Sequence, residues 1–132
     1  MLLSGLDTRI KIISAEAART LARSGRAVVL VTGHFDVLLA AHVRELARER
    51  EKSPEALLVV APTLPAQPVL DARARIEMVA ALGMVDYVVS LEEAQIESLL
   101  AAFAAGRIVR LEAAHQQRLR ELIQHVQRRQ SA

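Results

Sequence analysis

The chain has no cysteine and no tryptophan, and only two phenylalanines and one tyrosine among its 132 residues. The missing cysteine excludes a disulfide framework and any thiolate-held metal, and it suits a reducing cytoplasm, which is the expected location. With so few aromatics, the core must be built from Leu, Val, Ile and Ala. Hydrophobic residues make up 52% of the chain, which is long enough to bury a full core. Few aromatics also means no stacking platforms for single-stranded nucleic acid. Seventeen basic against fifteen acidic residues is too even a balance for a nucleic-acid surface. No stretch reaches the roughly 18 apolar residues that cross a bilayer. The opening MLLSGLDTRIKII lacks a signal-peptide layout. One domain, with neither nucleic acid nor membrane as its partner, is expected.

Apolar runs and helical periodicities alternate along the chain. Ser14 caps a helix over Ala15 to Ser24, with Gly25 in the stop position. Ala27 to Val31 is a continuous apolar run rich in β-branched valine, as in a strand buried on both faces. Val43, Leu46 and Ala47 then repeat at helical spacing as far as about Arg50. Leu57 to Ala61 reads as a second buried strand, and Pro62 to Pro68 holds three of the four prolines and reads as a loop. Asp71 caps a helix reaching Leu82, and Tyr87 to Val89 is a short strand. Ser90 and Glu93 form a capping box for a helix through about Ala104, followed by a strand at Ile108 to Leu111. The tail, Ala113 to Arg129, is a helix with Leu119, Leu122, Ile123 and Val126 on one stripe and arginines elsewhere, by default a solvated face. Alternation of this kind predicts an α/β fold, a parallel sheet of about four to five strands with helices on both faces.

In such a sheet, ligands sit beyond the carboxyl ends of the strands, where helix N-termini offer free N–H groups. The first βα turn is Thr32-Gly33-His34-Phe35-Asp36, and the next helix begins near Leu39 to Ala41 with its positive end facing that turn. Gly33 lets a ligand approach the main chain, so the turn is a candidate anion site; a tight turn and nothing more is the plainer alternative.

The stretch GHFDVLLAAH, from Gly33 to His42, resembles the G-x-F-D-x-x-H-x-G-H signature of the cytidylyltransferase-like nucleotidyltransferases. Within that superfamily it is most similar to the ADP-heptose synthase (adenylyltransferase) domain and to glycerol-3-phosphate cytidylyltransferases. The similarity also takes in Lys11 to Ser14, Gly25-Arg26, Arg75 to Leu82, and Val85 to Val89 and on to Glu92. The resemblance implies a single Rossmann-like nucleotidyltransferase-like domain over residues 1–132. Such a domain joins a nucleoside triphosphate, carried with magnesium, to a phosphorylated small molecule and releases pyrophosphate. It further implies that Thr32, Gly33, His34, Phe35, Asp36, Ala41, His42 and Arg75 contact nucleotide or phosphate, with His42 as the catalytic candidate. Homodimers are common among such relatives and are possible here.

Two signature positions are altered. Leu39 stands where the first motif histidine belongs and offers neither a donor nor charge. Ala41 replaces the motif glycine and puts a methyl group where a phosphate would approach. The loop at Ala61 to Pro68 lacks the usual lysine, since the only lysines are Lys11 and Lys52, and the C-terminal phosphate-gripping motif has no counterpart. His34, in the variable position, is either an exposed turn histidine or a substitute donor. Arg75, with Arg73 nearby, is either a phosphate contact or part of a solvated helix face. A metal held by His34, Asp36 and His42 is chemically conceivable, but no further ligand is recognisable and none is expected. His115 and His125 share no metal-ligand spacing. Two readings follow. One is a degenerate relative that binds a nucleotide or phosphorylated metabolite with weak or no catalysis; the other is an active adenylyl- or cytidylyltransferase.

Overall fold

The computed structural model describes residues 7–38 and 40–131. Leu39 and the first six residues, on which part of the sequence reading rests, lie outside them. In chain order, β1 (Ile12–Ser14) runs into α1 (Ala15–Ala22), and β2 (Val28–Gly33) is followed by α2 (Ala40–Lys52). Then come β3 (Leu57–Pro62) and α3 (Ala72–Ala80), β4 (Tyr87–Ser90) and α4 (Ile96–Phe103), and β5 (Arg107–Arg110) and α5 (Glu112–Ser131). The five strands pair in parallel in the order β1-β4-β3-β2-β5. The fold is the expected Rossmann-like α/β sheet. Among the described residues, no helix is long and apolar enough to cross a membrane.

Strand periodicity explains the two cores. Val29 and Val31 of β2, Leu58 and Val60 of β3, and Val88 of β4 face one side, where Leu46 of α2 and Ile76 and Val79 of α3 cover them. The alternate residues Val28, Leu30, Val59, Ala61 and Val89 face the other side, under Ala18 of α1 and Leu99 and Phe103 of α4. A strand covered on both faces needs no polar position, hence the unbroken apolar runs.

Several boundaries differ from the sequence reading for physical reasons. Lys11 to Ser14 carries a strand as well as a cap, because Ile12 to Ser14 pair with Val88 to Ser90 at the sheet edge. β2 continues through Thr32 and Gly33, which pair with Ala61 and Pro62, so the turn proper starts at His34. Pro62 closes β3 rather than opening the loop; β4 pairs only with Val59 and Val60, so its missing N–H breaks no ladder. The capping box joins Glu92 and Gln95, not Ser90 and Glu93, because Ser90 still belongs to β4. The Glu92 N–H donates to Gln95 Oε1 at 2.8 Å. Ser14 and Asp71 cap α1 and α3 as expected, at 3.1 and 2.7 Å from the Ala17 and Ala74 amides. α1 and α3 end two residues early, at Ala22 and Ala80.

The topology fixes where a ligand would go. From β2 the chain steps across the sheet to β3 and β4, then crosses back to lay β5 on the opposite side of β2. Strand order therefore reverses at β2, and the crevice beyond the carboxyl ends there is the expected site.

Candidate functional site

Gly33 ends β2 at this crevice, and its carbonyl accepts from the Thr63 N–H at 2.8 Å. Phe35 follows with φ at +47°, a left-handed conformation rare for a bulky residue, held because its ring is fully buried in the core under α2. Asp36 is 3% exposed, and its two oxygens accept from the Val69 and Leu70 amides at 2.7 and 2.8 Å. Its carboxylate therefore pins the proline-rich loop beside the turn. Ala41 is half-buried on the first turn of α2, and His42 is buried just after it.

His42 and Glu45 lie three residues apart on α2, so they share a face. His115 and Arg118 repeat that spacing on α5, and the two faces meet. The His42 and His115 rings stand edge to face with centroids 4.2 Å apart, and Phe35 lies 4.5 Å from His115. The Phe35 amide donates to His115 Nδ1 at 3.4 Å, which leaves the ring proton on Nε2, 3.2 Å from Glu45 Oε1. Arg118 grips both oxygens of Glu45 at 3.1 Å. Burial, reinforced by the neighbouring His42, lowers the His115 pKa to about 4, so the ring is neutral. Burial also pushes His42 down, with the Arg118 charge adding to it. Burial alone would raise Glu45, but Arg118 and His115 hold its carboxyl below the usual range.

Above Gly33 there is no room. A Cβ built there would meet the His115 ring at 2.5 and 2.7 Å and the Phe35 ring at 3.0 Å. The glycine thus admits a close approach, and the approaching group is a side chain of α5. The space left among His34, His42, His115 and Leu119 is about 10 Å³, at the limit for one water. One turn earlier on α5, Glu112 accepts from the Thr32 and Thr63 hydroxyls at 3.0 Å each and from Arg110 at 3.2 and 3.3 Å. Burial raises its carboxyl, but these donors outweigh that and keep it low. The first turn of α5 therefore fills the crevice with a carboxylate and an imidazole.

Arg75 is 4% exposed, so it belongs to no solvated face; its Nη1 donates to the Thr63 and His34 carbonyls at 2.8 and 3.3 Å. Arg73 does lie outside, paired with Glu77 at 2.8 Å. His34 is half-buried rather than fully exposed, and burial lowers its pKa. The structure thus gathers Thr32, Gly33, His34, Phe35, Asp36, His42 and Arg75 around one turn. It adds Glu45, Thr63, Glu112, His115 and Arg118, which the sequence reading missed. The only local signal for them was the matched spacing of His42 with Glu45 and His115 with Arg118.

The ligand atoms of His42, Glu45 and His115 lie within 4.8 Å of one another, and imidazoles with a carboxylate suit a transition metal. The hydrogen bonds already made oppose it. His115 Nε2 carries the proton, Nδ1 receives an amide N–H, and Arg118 holds both carboxylate oxygens, so a cation would have to undo the whole chain.

Compared with known proteins, the chain matches a family described as cytidylyltransferase-like over residues 30–131, a span that takes in the turn, α2, the proline loop and α5. A search of curated proteins finds no match.

Proposed function

Since the chain belongs to the cytidylyltransferase-like family, we propose that it is a nucleotidyltransferase-type domain that binds a nucleotide or phosphorylated metabolite with weak or no catalysis. The GHFD turn and His42 support the ligand class, and their likeness to ADP-heptose synthase domains points to an adenine nucleotide or a sugar phosphate. One observation supports weak or absent turnover: the His115 ring sits over Gly33, where a triphosphate would need the bare backbone. Catalysis in such a site rests on donors set in advance around the developing charge. Here the Thr32 and Thr63 hydroxyls already answer to Glu112, and Asp36 already holds two amides. A ligand reaches the Gly33 backbone only if the first turn of α5 moves aside.

Magnesium, implied alongside a nucleoside triphosphate, does not fit a protein-held site here, because both carboxylates at the turn, Asp36 and Glu112, are fully engaged. An ion would have to arrive on the nucleotide.

The test is a thermal-shift and calorimetric screen with ATP, CTP and sugar phosphates, run beside a pyrophosphate-release assay. The expected result is stabilisation by one nucleotide or sugar phosphate and no pyrophosphate above a His42→Ala control. His115→Ala, which opens the space over Gly33, should tighten binding at least several-fold. Turnover by the unaltered chain above that control would overturn the reading in favour of an active adenylyl- or cytidylyltransferase, for which the retained His42 is the supporting feature.

A further inference from the structure

α5 spans 20 residues, about 30 Å. Its first turns are seated in the crevice, but every described side chain from Ile123 to Gln130 is exposed. These last turns take no support from packing against the rest of the described chain. Yet its apolar positions keep strict helical spacing, from Leu119 and Leu122 to Ile123 and Val126.

Across from this stripe stands the proline loop. Among the large apolar side chains most exposed in the described residues, Leu64 and Val69 lie on that loop (57% and 60%) and Ile123 and Val126 on α5 (44% and 45%). Between Val69 and Ile123 runs a groove of about 420 Å³, with Pro65 and Val69 on one wall, Leu119 and Ile123 on the other, and His34, Gln67, Gln116 and Arg120 as its polar groups. Patches of this kind mark contact surfaces.

The charges name the occupant. At about 100° per residue, Arg120 falls on one edge of the stripe and Arg118 and Arg129 on the other, while Glu121 points to the opposite face. Arg118 is neutralised by Glu45. Among the described residues, Arg120 and Arg129 enter no ion pair, while Arg128 shares the far face with Glu121. A second copy of this helix would bring arginines against arginines in either direction, with no carboxylate on the stripe edges to answer them. A bilayer is flat and cannot enter a groove walled by a loop. We infer that this groove receives an amphipathic helix of another protein, apolar at i, i+3 or i+4, and i+7, with Asp or Glu along both edges.

The test uses labelled helical peptides of about 18 residues with a leucine stripe, flanked either by glutamates or by lysines, titrated into the full chain by fluorescence anisotropy. The glutamate peptide should bind saturably and at least tenfold more tightly than the lysine peptide. Ile123→Glu should abolish binding, with the far-ultraviolet dichroism spectrum showing that the fold persists. The double charge reversal Arg120→Glu with Arg129→Glu should exchange the preference of the two peptides, which a merely structural role for those arginines would not do. Three results would each overturn the inference: no preference between the peptides, binding instead to phosphatidylserine vesicles, or a dimer in sedimentation that Ile123→Glu converts to monomer.

Discussion

The two ends of α5 divide polar and apolar residues in opposite senses. At the start of the helix, the residues turned into the protein are Glu112 and His115, a carboxylate and an imidazole. Past Leu122, the residues turned to solvent include Ile123 and Val126. A helix serving only to cover a core would do the reverse, burying its aliphatic positions and exposing its charges. A buried polar network is costly unless every member is satisfied, and an exposed apolar stripe is a liability unless something covers it. Each half breaks the ordinary rule, and each does so at a surface where another molecule would bind. On the proposals made above, the near end occupies the place of a ligand, and the far end would receive a partner helix.

The sharpest way to break the near end is at Gly33. Gly33→Ala puts a methyl group 2.5 Å from the His115 ring, which is held at both nitrogens and cannot simply turn away. Overpacking of this kind should cost about 3 kcal/mol in denaturant unfolding. The double variant with His115→Ala should recover much of that loss, because the clash is with that ring. Equal losses with and without His115 would mean that the glycine is needed for some other reason.

The next effect is set by pH. The folded pKa of His115 lies near 4, below the 6.5 of the free side chain, so the unfolded chain binds the proton more readily. Stability is therefore full above pH 6.5 and falls as the pH drops towards 4, by about 2 kcal/mol between pH 7 and pH 5. His42 and His34 are shifted in the same direction and add to the slope. Glu45 and Glu112 act only lower, where the carboxylates take up protons. Urea unfolding at a series of pH values should show that slope, and His115→Gln should remove its largest part. A flat profile above pH 5 would remove the buried neutral imidazole from the account.

A smaller loss is expected at Glu112. Glu112→Gln keeps an acceptor for one threonine but gives up the charge that Arg110 faces, at a cost of about 1 kcal/mol. If the near end is a displaceable plug, this variant should also bind the identified nucleotide or sugar phosphate more tightly than the unaltered chain. Lower stability with unchanged affinity would leave Glu112 a structural cap and nothing more.

The sequence discloses these two ends unequally. Strands β2 and β3 were legible because burial on both faces leaves an unbroken apolar run, and the Ser14 and Asp71 caps because capping is a matter of neighbours. The turn at Gly33 was legible as a motif. What seals it was not, because His115 and Glu112 reach it from 80 residues along the chain, through the placement of β5 beside β2. Arg75 was ambiguous for the same reason: nothing local tells a helical arginine whether two carbonyls will be waiting inside. The far end of α5 is the opposite case. Its stripe was plain from spacing, and only the structure shows that nothing in the described chain covers it.

That last contrast yields the smallest expected effect. Ile123→Glu in the isolated chain should change unfolding stability by less than about 0.5 kcal/mol, as surface substitutions do. Leu46, an aliphatic residue on α2 with no exposed surface, should cost about 2 to 5 kcal/mol when cut to alanine. The two side chains are of similar size and both sit on helices of this sheet, so the ratio of their effects measures how far the end of α5 stands apart from the fold. A loss at Ile123 comparable to that at Leu46 would mean that the stripe is already packed, whether against this chain or a second copy of it. The two halves of the helix would then no longer be distinct.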